Sequence, residues 1–220
     1  MFLKNFYLKN LFILSLFTVL FAPMAHATHN MGKDLQYVCL GQVGGNMQYK
    51  VTVRYYRNCW DNSFQGQAAS APSSVGLQVT ATGCSGFTSN YTLNQDPTAQ
   101  PPNGSEVSQL CPAQLPQSGC NWTQTGSNPP YPGVQVYTYT GIVNIPVGCG
   151  TVTFGTTDCC RNSSISNIPN PGGEDLSIYA TVNNTIDPAT GQPYCNNSVA
   201  FTNQPVPFFC VNSYVTFNHG

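Results

Sequence analysis

Charge is what this sequence has least of. Asp, Glu, Lys and Arg make up 7% of its 220 residues, where globular chains usually carry about 25%. After residue 27 the cations are Lys33, Lys50, Arg54, Arg57 and Arg161, and these five against eight acids leave a net charge of −3. That excludes a basic patch for nucleic acid and a basic amphipathic helix for a membrane surface. Histidine is nearly missing too: beyond residue 27 only His29 and His219 occur, one near each end. Neither adjoins a Ser or Cys motif, and no G-x-S-x-G occurs. A nucleophile, base and orienting group therefore have no evident source. No C-x-x-C and no H-x-x-x-H spacing is present, so the thioredoxin-like redox motif and the usual zinc signatures are absent.

Acid pairs are equally scarce. Glu174 and Asp175 adjoin in NPGGED, which reads as a solvated turn rather than as the spaced pair of a glycosidase. Asp187 in NTIDPATGQ reads as a turn residue or as a single calcium ligand, without the spaced carboxylates of an EF-hand loop. Arg161 is the only cation after Arg57; it is a structural arginine satisfying carbonyls or a carboxylate, or a ligand-facing group. These gaps predict a protein that is not an enzyme and has no metal or cofactor.

Helical spacing is missing beyond residue 27, and so is any apolar run long enough to span a bilayer. The one long apolar run, Leu11–Ala22, follows Lys4 and Lys9 and precedes Ala25-His26-Ala27. That is the layout of a secretory signal peptide, and the run is short for a membrane span, which needs about 20 residues. Residues 1–27 are therefore expected to be a Sec signal peptide cleaved after Ala27, and the mature chain to be secreted or extracellular at the cell surface, with no transmembrane segment.

What the chain does have is cysteine, Gly, Pro, Asn, Ser, Thr and aromatics. Twelve Tyr and twelve Phe supply core material, and short alternating runs supply strands. In MQYKVTVRYYR (47–57), Tyr49, Val51, Val53 and Tyr55 share one face, because side chains alternate along a strand. LQYVCLG (35–41) and Gly44-Gly45-Asn46 predict a hairpin in front of it. The pattern recurs at 73–82, 137–145 and 176–182, with shorter candidates at 86–92, 150–156, 197–202 and 207–215. Strands separated by turn signals predict an all-β fold, an antiparallel Ig-like β-sandwich. One domain, 28–220, is expected. Its segment 95–133, with DPTAQPPNGS and GSNPPYPG, reads as a long stapled loop rather than a linker between two domains.

All ten cysteines follow residue 27: Cys39, Cys59, Cys84, Cys111, Cys120, Cys149, Cys159, Cys160, Cys195 and Cys210. An even count in an exported chain predicts a complete disulfide framework, though its connectivity is not deducible. Local spacing suggests Cys111–Cys120, Cys195–Cys210 and Cys59–Cys84, leaving Cys39, Cys149, Cys159 and Cys160 to share two longer bridges. For the adjacent pair Cys159 and Cys160, a strand would point the side chains to opposite faces, giving two staples to different partners. A vicinal disulfide or a metal site are the alternatives.

Several stretches resemble a known family. ATHNMGKDLQYVCLG, YKVTVRYYRNCW, VSQLCPAQLPQSGC, PGVQVYTYTGIVNIP, CCRNSSISNIPNP, CNNSVAFTNQPVPFFCVN and FNHG resemble, in that order, the N-terminal domain of large secreted Bacteroidetes surface proteins. These are gliding-motility-associated or adhesin-like substrates of type IX secretion. The resemblance spans essentially all of the chain after residue 27. Lys33-Asp34 stand where that family usually has Gly-Glu, and Asn58 where it has Asp. The resemblance implies a non-catalytic structural or adhesive module and downstream domains of the same polypeptide beyond Gly220, while the tyrosine- and asparagine-rich loops predict a surface glycan or protein as ligand. It assigns no catalytic or ligand-binding residue. The alternative is a stand-alone secreted, lectin-like glycan-binding domain.

Overall fold

The computed structural model describes residues 30–60, 71–124, 127–162, 165–200, 211, 212 and 214. The expected signal peptide, His29, Cys210, His219 and nearly all of the strand expected at 207–215 lie outside the described residues. Among the described residues there is no α-helix, and no helix is long and apolar enough to cross a membrane.

The chain is an antiparallel β-sandwich. Its strands are β1 (Asn30–Val43), β2 (Asn46–Asn58), β3 (Ser74–Ala81), β4 (Thr88–Gln95), the short β5 (Ser105–Glu106), β6 (Val134–Pro146), β7 (Thr151–Cys159) and β8 (Asp175–Asn183). The hydrogen-bonded order is β1-β2-β6-β4-β3-β7-β8, with β5 alongside β6. One layer is β1-β2-β6 and the other is β4-β3-β7-β8. They join at a corner where only Asn94 and Gln95 of β4 pair with Thr140 and Tyr139 of β6. Setting β5 aside, the first, second and fifth strands lie together, as do the third, sixth and seventh. This is the pairing of an immunoglobulin-like sandwich.

Alternation explains the core. Tyr49, Val51, Val53 and Tyr55 of β2 all point inward, as their spacing predicts, and meet Val75, Leu77 and Val79 of β3, Tyr139, Val143 and Ile145 of β6, and Phe154 of β7. Phe154 sits 5.2 Å from the Tyr37 ring and 5.7 Å from the Tyr49 ring, centroid to centroid, which locks the two layers face to face. The Tyr37 hydroxyl also donates to the Thr181 carbonyl of β8 at 2.7 Å. Burial pushes the Tyr49 hydroxyl pKa up to about 12, with Tyr37 adding to the effect. The β1–β2 hairpin turns on Gly44-Gly45, since Val43 pairs with Asn46. Gly44 has φ +59°, the left-handed setting that two-residue hairpin turns require.

The edge of β1 is closed by residues that are not a strand. Tyr37 N–H donates to Ser198 Oγ at 2.9 Å, Ser198 N–H returns to the Tyr37 carbonyl at 2.9 Å, and Cys39 N–H donates to Asn197 Oδ1 at 2.8 Å. The strand expected at 197–202 is thus irregular over 197–200; one backbone bond and the side chains of Asn197 and Ser198 take the place of a regular ladder. Covering an edge in this way removes a template for association.

The segment 96–133 lies over the outer side of β2 and β6. Val107 packs on Tyr56, Val134 and Val136, a small second cluster apart from the main core. Asn103 Oδ1 accepts from Thr138 N–H at 2.7 Å, and Val107 N–H donates to the Val134 carbonyl at 2.8 Å. Gly133 is needed where the segment returns: a Cβ there would lie 2.6 Å from both Cys120 N and Cys120 Sγ.

Beneath this covered side is a buried acid. Asp34 accepts a hydrogen bond from the Tyr56 hydroxyl at 2.8 Å and lies 3.9 Å from Arg54. Its other oxygen is buried without a hydrogen-bond partner among the described residues. Burial raises the Asp34 carboxyl above its ordinary 3.8, against the smaller opposing effects of Tyr56 and Arg54. A raised carboxyl favours the fold most when protonated, so its contribution is full below the unfolded pKa and is lost as pH rises through the higher folded value. Asp34→Asn should therefore flatten the stability profile just above pH 4, read as urea midpoints against pH. An unchanged slope would mean the carboxyl is not desolvated.

Candidate functional site

Two places gather polar side chains. The first is the end of the sandwich where β7 stops. Lys33 of β1 points inward with its side chain 1% exposed and forms an ion pair with Asp158 of β7, which is 31% exposed. Among the described residues Lys33 Nζ has no hydrogen-bond acceptor besides that carboxylate, and it lies 5.6 Å from the centre of the Tyr55 ring. Next to it Cys159 and Cys160 are bonded to each other. This corrects the expectation of two staples on opposite faces. Cys159 is the last residue of β7, so strand alternation does not extend to Cys160.

The other expected pairings are corrected as well. Cys39 is bonded to Cys195, Cys59 to Cys120 and Cys84 to Cys149, with sequence separations of 156, 61 and 65. Cys111, expected to pair with Cys120, is disulfide-bonded too, and no described cysteine is free. Proximity along the chain misled because the sheet brings distant turns together. Cys84 in the β3–β4 turn and Cys149 in the β6–β7 turn become neighbours when Gly150 N–H donates to the Thr82 carbonyl at 2.7 Å.

Of the single residues weighed for chemistry, Asp187 caps its own turn, accepting from Ala189 N–H at 2.9 Å and from the Thr190 hydroxyl at 3.1 Å. Arg161 N–H donates to the Glu174 carbonyl at 2.8 Å, while Asp175 opens β8. Among the described residues no three His, Cys, Asp or Glu side chains are grouped to hold a metal ion.

The second place is the outer face of the β4-β3-β7-β8 layer. Backbone partners line up in rows across all four strands. Asn90 lies opposite Gln78, Gln78 opposite Gly155, and Gly155 opposite Tyr179. Beside that row runs a second of threonines, Thr88, Thr80, Thr153 and Thr181, paired in the same way. The outward positions of β3, β4 and β7, and those of β8 from Ser177 onward, carry no charged residue. Tyr179 stands out as a large aromatic that is 63% exposed. It leans across Gly155: a Cβ at Gly155 would lie 2.7 Å from the ring atoms Cδ1 and Cε1. Hydrogen bonding from the Thr157 and Ser177 side chains holds the Tyr179 hydroxyl below its ordinary pKa; those two hydroxyls are themselves 2.9 Å apart. Between Tyr179 and Asn90 an open cleft of about 320 Å³ is lined by Gly76, Gln78, Asn90, Gly155, Thr157 and Tyr179, together with Leu77 and Tyr91, which belong to or pack on the core.

None of these residues was singled out from the sequence. The signal was available: they are the alternate positions of the very runs whose inward positions define the core. Comparison with family models, with curated proteins and with solved structures finds no match.

Proposed function

We propose that this chain is a non-catalytic, exported structural or adhesive module of a bacterial surface protein, of the gliding-motility-associated kind that its sequence resembles. The placement of the disulfides carries this reading. They tie the excursion 96–133 to the end of β2 through Cys59–Cys120, the segment after β8 to β1 through Cys39–Cys195, and two turns to each other through Cys84–Cys149. Such bonds persist in oxidising compartments. They hold loops in fixed positions, as a display scaffold requires.

The unusually low charge fits a partner met by contact rather than by electrostatic steering. A surface glycan or a protein is the partner class, and the glycan-binding reading gains from the uncharged outer face with its exposed Tyr179. Downstream domains of the same polypeptide would carry this module at the cell surface. The test is adhesion under flow. Beads coated with oxidised chain from Thr28 to Gly220 should be held on at least one polysaccharide- or protein-coated surface, while beads bearing the reduced, unfolded chain should wash off. Equal wash-off from every surface would refute the adhesive reading.

A further inference from the structure

We infer that the outer face of β4-β3-β7-β8 is a binding site for a neutral, extended polysaccharide, with Tyr179 as the ring on which a sugar packs and Gln78 and Asn90 as the amides that bond its hydroxyls. The inference deepens the adhesive reading and rests on it. Four observations lead to this ligand class. The row Asn90, Gln78, Gly155, Tyr179 crosses three strand spacings, about 14 Å at the usual 4.7–4.9 Å each. That is the reach of a short oligosaccharide rather than of one sugar ring. The surface is nearly level there, because Gly155 in the row and Gly76 beside it carry no side chain and Tyr179 lies down over Gly155.

The chemistry of the row matches sugar. A pyranose presents an apolar C–H face and a rim of hydroxyls. An exposed aromatic ring takes the first; carboxamides, which both donate and accept, take the second. The flanking hydroxyls of Thr157, Thr153 and Thr181 extend the same surface. The absence of charge along these outward positions removes the cations that an acidic polysaccharide or a nucleic acid needs.

Other occupants fit less well. A stable protein interface has a core enriched in aromatic and apolar side chains, and this row has one aromatic ring and no aliphatic side chain pointing outward. Strand addition by a peptide runs along a sheet edge, whereas the row lies across the face and is centred on β3 and β7, which are paired on each side.

The experiment uses the oxidised mature chain against insoluble cellulose, chitin and xylan, with polygalacturonate as the acidic comparison and soluble hexasaccharides of the bound polymer for affinity. Binding to at least one neutral polymer is expected, and it should be insensitive to salt. Tyr179→Ala should weaken it about tenfold, the usual scale for losing one well-placed ring. Tyr179→Phe should retain most of it. Gly155→Thr, which suits a strand but displaces the ring, should weaken it as well. Lys50→Ala, on the other layer, should change nothing. Near-UV spectra and urea midpoints of each variant distinguish lost binding from lost fold. Neutral-glycan binding that survives both Tyr179→Ala and Gln78→Ala would overturn the site. Adhesion to protein surfaces or polygalacturonate alone would overturn the ligand class while leaving the adhesive reading standing. No adhesion to any surface would overturn both.

Discussion

Replacing both Cys84 and Cys149 by alanine should lower unfolding stability by about 4 kcal/mol. The bond closes a loop of sequence separation 65, and the chain-entropy relation gives about 4 kcal/mol for a loop of that size. In a domain of this length that is a fall in Tm on the order of 10 °C. The argument is topological as well as entropic. Cys149 is fully buried and lies in the turn from β6 to β7, where the chain passes from one layer to the other. Cys84 lies in the turn from β3 to β4. The bond therefore pins a hairpin of one layer to the crossing point between layers, and any global unfolding has to separate them.

The Cys39–Cys195 bond gives the contrast that tests this. Its separation is 156, so loop length alone ranks it as the stronger staple. Yet Cys195 lies in no strand, and Asn197 and Ser198 give its segment its hydrogen bonds to the β1 edge. Without the bond that segment can detach and leave the sandwich folded. Cys39→Ala with Cys195→Ala should therefore lower the global urea midpoint less than the Cys84 and Cys149 pair does, while exposing the backbone amides of positions 37 and 39 to hydrogen exchange. A larger global loss from the Cys39 pair would show that the segment after β8 is part of the cooperative core.

The sandwich could be read from the sequence because its information is local. Tyr49, Val51, Val53 and Tyr55 need only a period of two to declare an inward face, and Gly44-Gly45 declares the turn before them. The disulfides could not be read in this way. Which turn meets which is decided by strand order, and placing β6 beside β4 and β7 beside β3 is a property of the whole fold. Cys159 and Cys160 show the same limit at the scale of one residue. The opposite-face argument holds inside a strand and lapses at its last position. The outer face needs more than alternation: Gln78 and Asn90 share one hairpin, but Gly155 and Tyr179 lie far along the chain, and only the register of four strands makes them a row.

Asp158→Ala and Lys33→Met should differ sharply although they break the same ion pair. The Lys33 side chain is 1% exposed and Asp158 is 31% exposed. Removing Asp158 strands an ammonium group among Tyr55 and the core, with no other acceptor among the described residues. Breaking a buried pair in that sense costs about 3–5 kcal/mol. Removing Lys33 leaves a carboxylate that already reaches water, and methionine fills the vacated space with a flexible apolar chain, so a loss of about 1 kcal/mol is expected from the lost pairing. The double variant Lys33→Met with Asp158→Leu should recover most of the stability, since an apolar replacement of similar volume avoids the desolvation penalty. Urea unfolding of these variants, with Asp158→Leu as the matching single change, closes a double-mutant cycle. Equal losses from the two single variants, with no recovery in the double, would mean that the pair contributes net stability of its own. The expected inequality would instead make Lys33 a residue that this fold tolerates only because Asp158 is opposite it. A substitution at Asp158 would then loosen the end of the sandwich that carries Cys159 and Cys160 before it loosened the rest.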